Sequence, residues 1–293
     1  MWTNLRKSRA GLPGLFILAL VVLCALAAPW IAPHDPYAQN LADAMKPPFW
    51  SAEGSAAYLL GTDQLGRDIF SRIIYGSRIS LLISAAGSLV SLATGILLGS
   101  ISGYYGGKID SLLMRFVDIS MAVPFILLSI FIAAIVGPGI ANIIFIAGIS
   151  SGVGLARLVR GEIMAVKGQE YIEAIRSVGA NDRIVVFRHI LPNIFNTLIV
   201  TLTLEMAQLI LVESSLSFLG LGVPAEVPTW GKMLSESRTY MLSDPWIAIF
   251  PGVAITLTVL GINLFGDWLR DYLDPKTRKT AGLDEARDVR SGA

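Results

Sequence analysis

Long stretches without Asp, Glu, Lys, Arg or His recur along the chain at positions 11–32, 79–104, 119–156 and 246–266, and a fifth, 194–219, is interrupted only by Glu205 and Glu213. A hydrocarbon core about 30 Å thick takes about 20 residues of α-helix to cross. Each stretch is therefore a span, and 119–156 is long enough to cross twice, turning near Gly137-Pro138-Gly139. Backbone polar groups find no water inside lipid, so the spans must be helices, and the alternating strands of a barrel are nowhere visible. The pattern predicts an all-α, polytopic membrane protein with six transmembrane helices.

Composition agrees. Of 293 residues, 54% are hydrophobic and only 15% charged, against about a quarter charged in ordinary soluble domains, which excludes a typical soluble enzyme. Twenty-three Lys and Arg nearly balance 22 Asp and Glu, so no bulk positive field exists to hold nucleic acid. One cysteine, Cys24, and two histidines, His34 and His189, exclude a disulfide framework and a Cys/His metal cluster.

The position of the charges carries more than their sum. With six spans both termini share a side, and that side holds seventeen Lys and Arg, including Arg6, Lys7 and Arg9, against six on the other. Because Lys and Arg stay cytoplasmic, both termini are expected in the cytoplasm. Residues 1–32 then form a cytoplasmic start and first helix, 33–78 an outer segment, 79–269 the main membrane body with an inner loop at 157–193, and 270–293 a cytoplasmic tail, expected to be poorly ordered after Asp274-Pro275, where it is polar and mixed in charge. The basic start before an apolar run ending in Ala25-Leu26-Ala27 also resembles a cleavable secretory signal, but the run continues through Trp30-Ile31, which favours a retained anchor. Within the outer segment, positions 61–72 mix apolar and charged residues at helical spacing, as in an amphipathic helix at the interface or a solvated loop.

Several motifs need weighing. Gly95, Gly99, Gly103 and Gly107 repeat every four residues and mark a stripe for close packing, within the chain or between subunits. Gly148-Ile149-Ser150-Ser151-Gly152 matches the G-x-S-x-G pattern of hydrolases, yet it lies in an apolar run with neither histidine near in sequence, so no catalytic residue is assigned. No phosphate-binding G-x-x-x-x-G-K-[ST] loop occurs, so any nucleotide-driven step needs another subunit. Glu205 and Glu213 fall at bilayer depth, where a carboxylate faces a substrate path or a hydrogen-bonding neighbour, and about 80° of helical rotation lets both point into one broad interior face. The two could also serve as relay carboxylates of an ion-coupled secondary transporter.

The inner loop is the most informative stretch. Positions 169–178 have helical composition and stop at Gly179, a residue that accepts positive φ; Asn181 or Asp182 can cap a second short helix over 183–190, which Pro192 is expected to end. Such an elbow protrudes, with small Ala174, Gly179 and Ala180 leaving room for a partner's groove and Glu173 and Arg176 setting orientation through charge.

These residues resemble the coupling loop of ABC importer permeases, patterned as E-A-A, three residues, G, nine residues, I-x-L-P. The chain reads Glu173-Ala174-Ile175, Gly179 and His189-Ile190-Leu191-Pro192, with Ile175 and His189 departing from the pattern. Similarity to the dipeptide, oligopeptide and nickel branch extends through Leu60-Gly61-Thr62-Asp63, Gly66-Arg67-Asp68, Arg115-Phe116-Val117-Asp118, Ser217-Phe218-Leu219-Gly220 and Asp274-Pro275. The resemblance implies a C-type subunit with one helix before a five-helix core, in a bacterial inner membrane. It also implies a second homologous permease in a heterodimer, two cytoplasmic ATPases using ATP and Mg, an external solute-binding protein, and no cofactor on this chain. Its cargo would be di- or oligopeptides or nickel.

Overall fold

The computed structural model describes Ser8 and residues 10–273. The basic residues Arg6, Lys7 and Arg9, the Asp274-Pro275 motif and the tail beyond it lie outside the described residues.

Helix α1 (Gly11–Leu26) is followed by a single turn, Ala28–Ile31. Helix α2 (Ile69–Tyr105) runs 37 residues. Helices α3 (Gly107–Ala122) and α4 (Phe125–Val136) meet at an 89° bend, and α5 (Ile140–Lys167) leads to the short α6 (Glu170–Ser177). Helix α7 (Leu191–Phe218), the short α8 (Trp230–Ser237) and α9 (Trp246–Leu273) complete the described residues. Among the described residues four helices are long and apolar enough to cross a membrane, α3 and α4 make a bent fifth, and α1 is a shorter apolar helix.

The bend in the fifth follows from Pro124. Proline pushes the preceding residue out of the helical region, and Val123 sits at φ −91°, ψ 129°. The 12 residues of α4 reach only about 18 Å, so this segment is not the plain crossing that its apolar composition suggests. The turn after α4 falls at Gly137, with φ 89°, where the composition placed it.

Glycine decides how the long helices pack. Along α2, a Cβ added to Gly95 would meet Leu155 at 2.7 Å, one on Gly99 the Ala156 carbonyl oxygen at 2.7 Å, and one on Gly103 the Arg160 carbonyl oxygen at 2.9 Å. From the other side, Gly148 and Gly152 of α5 approach the carbonyl oxygens of Gly87 and Ser91. The stripe is therefore an intrachain contact, and the G-x-S-x-G pattern is part of it, inside a continuous helix. Gly107 does not belong to the stripe: it opens α3 with φ 58° after the turn at Gly106. Helix α1 docks by the same device, with Gly11 against Trp268 and Gly14 against Phe265 of α9.

Positions 61–68 do not form the amphipathic helix that their spacing suggested. Gly61 and Gly66 both take positive φ, 81° and 70°, and the segment is a tight loop closed by one bridge between Thr62 and Asp68. Asp68 then caps α2 by accepting from the Ser71 backbone N–H at 2.9 Å, so α2 begins well before the apolar run at 79. Further back in this segment, the Lys46 ammonium and the Tyr58 hydroxyl bond Asp43 and hold its carboxyl below the usual range.

Gly99→Leu should lower the midpoint of thermal unfolding of the detergent-solubilised protein, at about 1–3 kcal/mol, because the atom it meets is backbone and cannot move aside. Gly161→Ala, on the same partner helix with nothing within 4 Å, should be neutral or slightly stabilising.

Candidate functional site

Three clusters of polar residues stand out against the apolar bundle: the elbow between α5 and α7, a cavity at mid-bundle, and an ion network at the opposite end.

The elbow is built as a rigid corner. Helix α6 ends in a Schellman turn, in which the Gly179 N–H donates to the Arg176 carbonyl at 3.0 Å and the Ala180 N–H to the Ile175 carbonyl at 3.3 Å. Gly179 takes φ 86° there, with nothing within 4 Å of where its Cβ would be. Asn181 caps the next turn, Asp182–Ile184, by accepting from the Arg183 N–H at 3.1 Å. The chain then widens into a π-helical turn, Val185–Ile190, and passes into α7 without a break. Pro192 therefore does not end a separate helix. It occupies the first turn of α7, where the wider π turn relieves the ring clash with the preceding turn, and Asn193 satisfies the His189 carbonyl through its side chain at 2.7 Å.

Ile172 is buried among Ile163, Val185 and Ile190 and anchors the corner to the bundle. Tyr104 at the end of α2 holds it from the side, donating its hydroxyl to Asp182 at 2.6 Å, with the Arg176 guanidinium 5.5 Å from its ring centre. Glu173, Ala174, Arg176, Gly179 and Pro192 remain exposed, while Ala180, His189 and Leu191 are half-buried. Between the exposed ones stand Val178, Ile184 and Phe187, 86%, 48% and 69% exposed. Sequence reading missed these three as site residues. The available signal was apolar residues at positions where the helical period leaves nothing of the chain's own to bury them.

The two intramembrane glutamates part company. Glu205 accepts from the Ser151 hydroxyl and, at 3.4 Å, from Ser91, both on Oε2. It lines an open cavity of about 510 Å³ with Ser150, Thr201, Gln208 and the Pro124 bend. Glu213 does not reach this cavity. It is fully buried, accepts from Ser217 at 2.8 Å, and takes the Thr229 hydroxyl that caps α8. The helical rotation between them is enough to turn one to the cavity and the other to α8. A relay using both carboxylates has no common chamber here.

At the other end, Arg67 donates to Asp63 and Glu236, each at 2.7 Å, and Arg72 donates to the same Asp63 and, at 2.8 Å, to Glu236. The four side chains are at most 16% exposed. This network ties the 61–68 loop and the start of α2 to α8, and Trp230 adds a bond from its indole N–H to the Ile73 carbonyl at 3.0 Å. Among the described residues no group of three or more His, Cys, Asp or Glu could hold a metal ion.

Residues 95–279 match the family described as binding-protein-dependent transport system inner membrane component, and residues 1–48 match the N-terminal transmembrane domain of oligopeptide transport permease C. The chain belongs to the binding-protein-dependent transport permeases. This permease is 43% identical over 280 residues to the di/tripeptide transport system permease protein DppC of Pseudomonas aeruginosa, covering 96% of this chain and 92% of the relative. It is 46% identical to the glutathione transport system permease protein GsiD of Pectobacterium atrosepticum, covering 94% and 89%. In fold it is similar to a chain of the inward-facing MetNI methionine ABC transporter, with a TM-score of 0.57 at 18% identity over 70% of this chain and 98% of the other. The permease is thus a membrane-embedded, non-enzymatic subunit of an ABC importer of the inner membrane, a class that works with ATPase and substrate-binding partners.

Arg72→Ala should cost about 3–5 kcal/mol in unfolding of the solubilised permease, since it strands buried carboxylates beside a single remaining cation. In a double-mutant cycle with Asp63→Ala, the second change should recover part of that loss.

Proposed function

We propose that this permease forms one half of a heterodimeric pore that imports short peptides, with the elbow and both termini in the cytoplasm. The names of the relatives support peptide cargo over nickel. The seventeen-to-six distribution of Lys and Arg supports the orientation. In that frame the loop 33–68 and the ion network face outward, where a solute-binding protein delivers its cargo.

The observation that carries the reading is the elbow's surface: Val178, Ile184 and Phe187 stand exposed around Glu173, Ala174 and Arg176 on a capped, anchored corner. An apolar knob rimmed by charge is what a cytoplasmic ATPase can grip. Two ATPases, one on each permease, close on ATP and Mg and carry the elbows with them. Because the elbow is tied to α2 through the Tyr104–Asp182 bond and continues through the π turn into α7, displacement of the knob moves both helices. The ATPases can shift the permease only by the difference in their affinity for its two states, so the grip must differ between outward-open and inward-open forms.

Glu205 belongs on the path in this reading. Both hydroxyl bonds fall on Oε2, so Oε1 is left for the cavity, which is open, as half a pore would be before a second permease covers it. A carboxylate among serine, threonine and glutamine side chains suits the ammonium end of a passing peptide. Glu213 is a structural bond to the cap of α8.

In reconstituted vesicles of the full transporter, Gly179→Val should leave assembly intact and ATP hydrolysis present while peptide uptake falls by about tenfold or more, since a β-branched residue is strained at positive φ and shifts the corner. Uptake at the wild-type rate would count against the lever. Phe187→Ala should weaken co-purification of the ATPases.

A further inference from the structure

A second crevice, of about 640 Å³, opens between α1 and α2 and shares no lining residue with the Glu205 cavity. Its walls are Leu18, Val22 and Leu26 of α1 and Ile79, Leu82 and Ala85 of α2. They are apolar throughout, and Val22, Leu26 and Leu82 are 37%, 67% and 53% exposed, so the described residues leave the slot uncovered. From Leu26 to Leu18, and from Arg78 to Ala85, the helices advance about 10–12 Å, most of the roughly 15 Å that one leaflet's hydrocarbon occupies.

The mouth of the slot is different in kind. It is formed by Tyr37, Tyr75 and Arg78, on the side of the bundle that carries the 33–68 loop. The Arg78 guanidinium lies 6.0 Å from the Tyr75 ring centre and forms no ion pair with a carboxylate among the described residues. Arg67, Arg72, Arg157 and Arg160 are all paired. A guanidinium on a lipid-facing helix is costly unless it meets an anion, and its planar fork bonds phosphate oxygens two at a time. Tyrosines at the same level are the side chains that favour the headgroup region.

We propose that this crevice is a binding site for one glycerophospholipid of the leaflet nearer the 33–68 loop. The phosphodiester sits on Arg78 between the two tyrosines, and one acyl chain fills the slot between α1 and α2. The lipid thereby completes the contact between the first helix and the bundle on the side that glycine packing against α9 does not reach.

The test uses the assembled transporter in nanodiscs of phosphatidylethanolamine and phosphatidylglycerol, with a trace of phosphatidylglycerol carrying a diazirine midway along one acyl chain. After irradiation, labelled peptides are mapped by mass spectrometry. Labelling at Leu18, Val22 and Ala85 should exceed that at Phe16 and Leu23, which are exposed on the outer face of the same α1, by about fivefold to tenfold, the range a single charge-assisted contact supports. Arg78→Gln should remove the excess, and Arg78→Lys should keep part of it. Ala85→Phe should remove it by filling the slot with Arg78 intact. Equal labelling of the two sets, an excess that Arg78→Gln leaves unchanged, or a slot closed to lipid because a protein partner covers it would overturn the proposal. The readout does not depend on transport, so it stands or falls apart from the peptide-import reading.

Discussion

Lipid tails solvate leucine as well as leucine does, so helices in a bilayer cannot rely on the hydrophobic effect to find each other. The permease depends instead on two backbones brought close enough for dispersion contacts to add up. Gly99 and Gly103 of α2 and Gly148 and Gly152 of α5 remove side chains where each helix would touch the other's carbonyl oxygens, and Gly95 makes room for the Leu155 side chain. The pair forms a seam around which α4, α7 and the elbow are arranged, and the core residues Leu155, Val159 and Ile163 lie along it. A loose seam would separate the elbow from everything it has to move.

The two ends of α2 are secured by different chemistry. At its start, four nearly buried charges bind the 61–68 loop and α8 in one network, where removing a member is expensive because the rest cannot return to water. At its finish, Tyr104 couples to Asp182 and Arg176 of the elbow. One 37-residue helix therefore connects the loop end of the molecule to the protruding corner. In an importer driven from one face and loaded from the other, such a rod transmits displacement without a relay of small adjustments.

The contrast between Glu205 and Glu213 shows why a polar residue in a span cannot be assigned from its depth alone. Both sit on α7 in one apolar run, and eight residues of helix separate them. One meets Ser151 and an open cavity; the other meets Ser217 and the Thr229 cap of a helix that lies far ahead in the chain. The 61–72 segment taught the same point in reverse. Its charges recur at helical spacing, yet Gly61 and Gly66 at positive φ stop a helix from forming before Ile69, and Arg67 and Arg72 are instead brought together onto Asp63 and Glu236.

By itself the sequence determined that the chain lives in a membrane, roughly where its spans fall, and that a corner turns at Gly179. These are local matters: hydrocarbon thickness sets the length of an apolar run, and positive φ singles out glycine within a few residues. Only the tertiary structure decided which glutamate faces a cavity, that Pro124 breaks a span while Pro192 does not, and that Val178, Ile184 and Phe187 stand unburied. Each of those depends on what lies opposite in space, and no periodicity along a chain records the neighbour that a fold will supply.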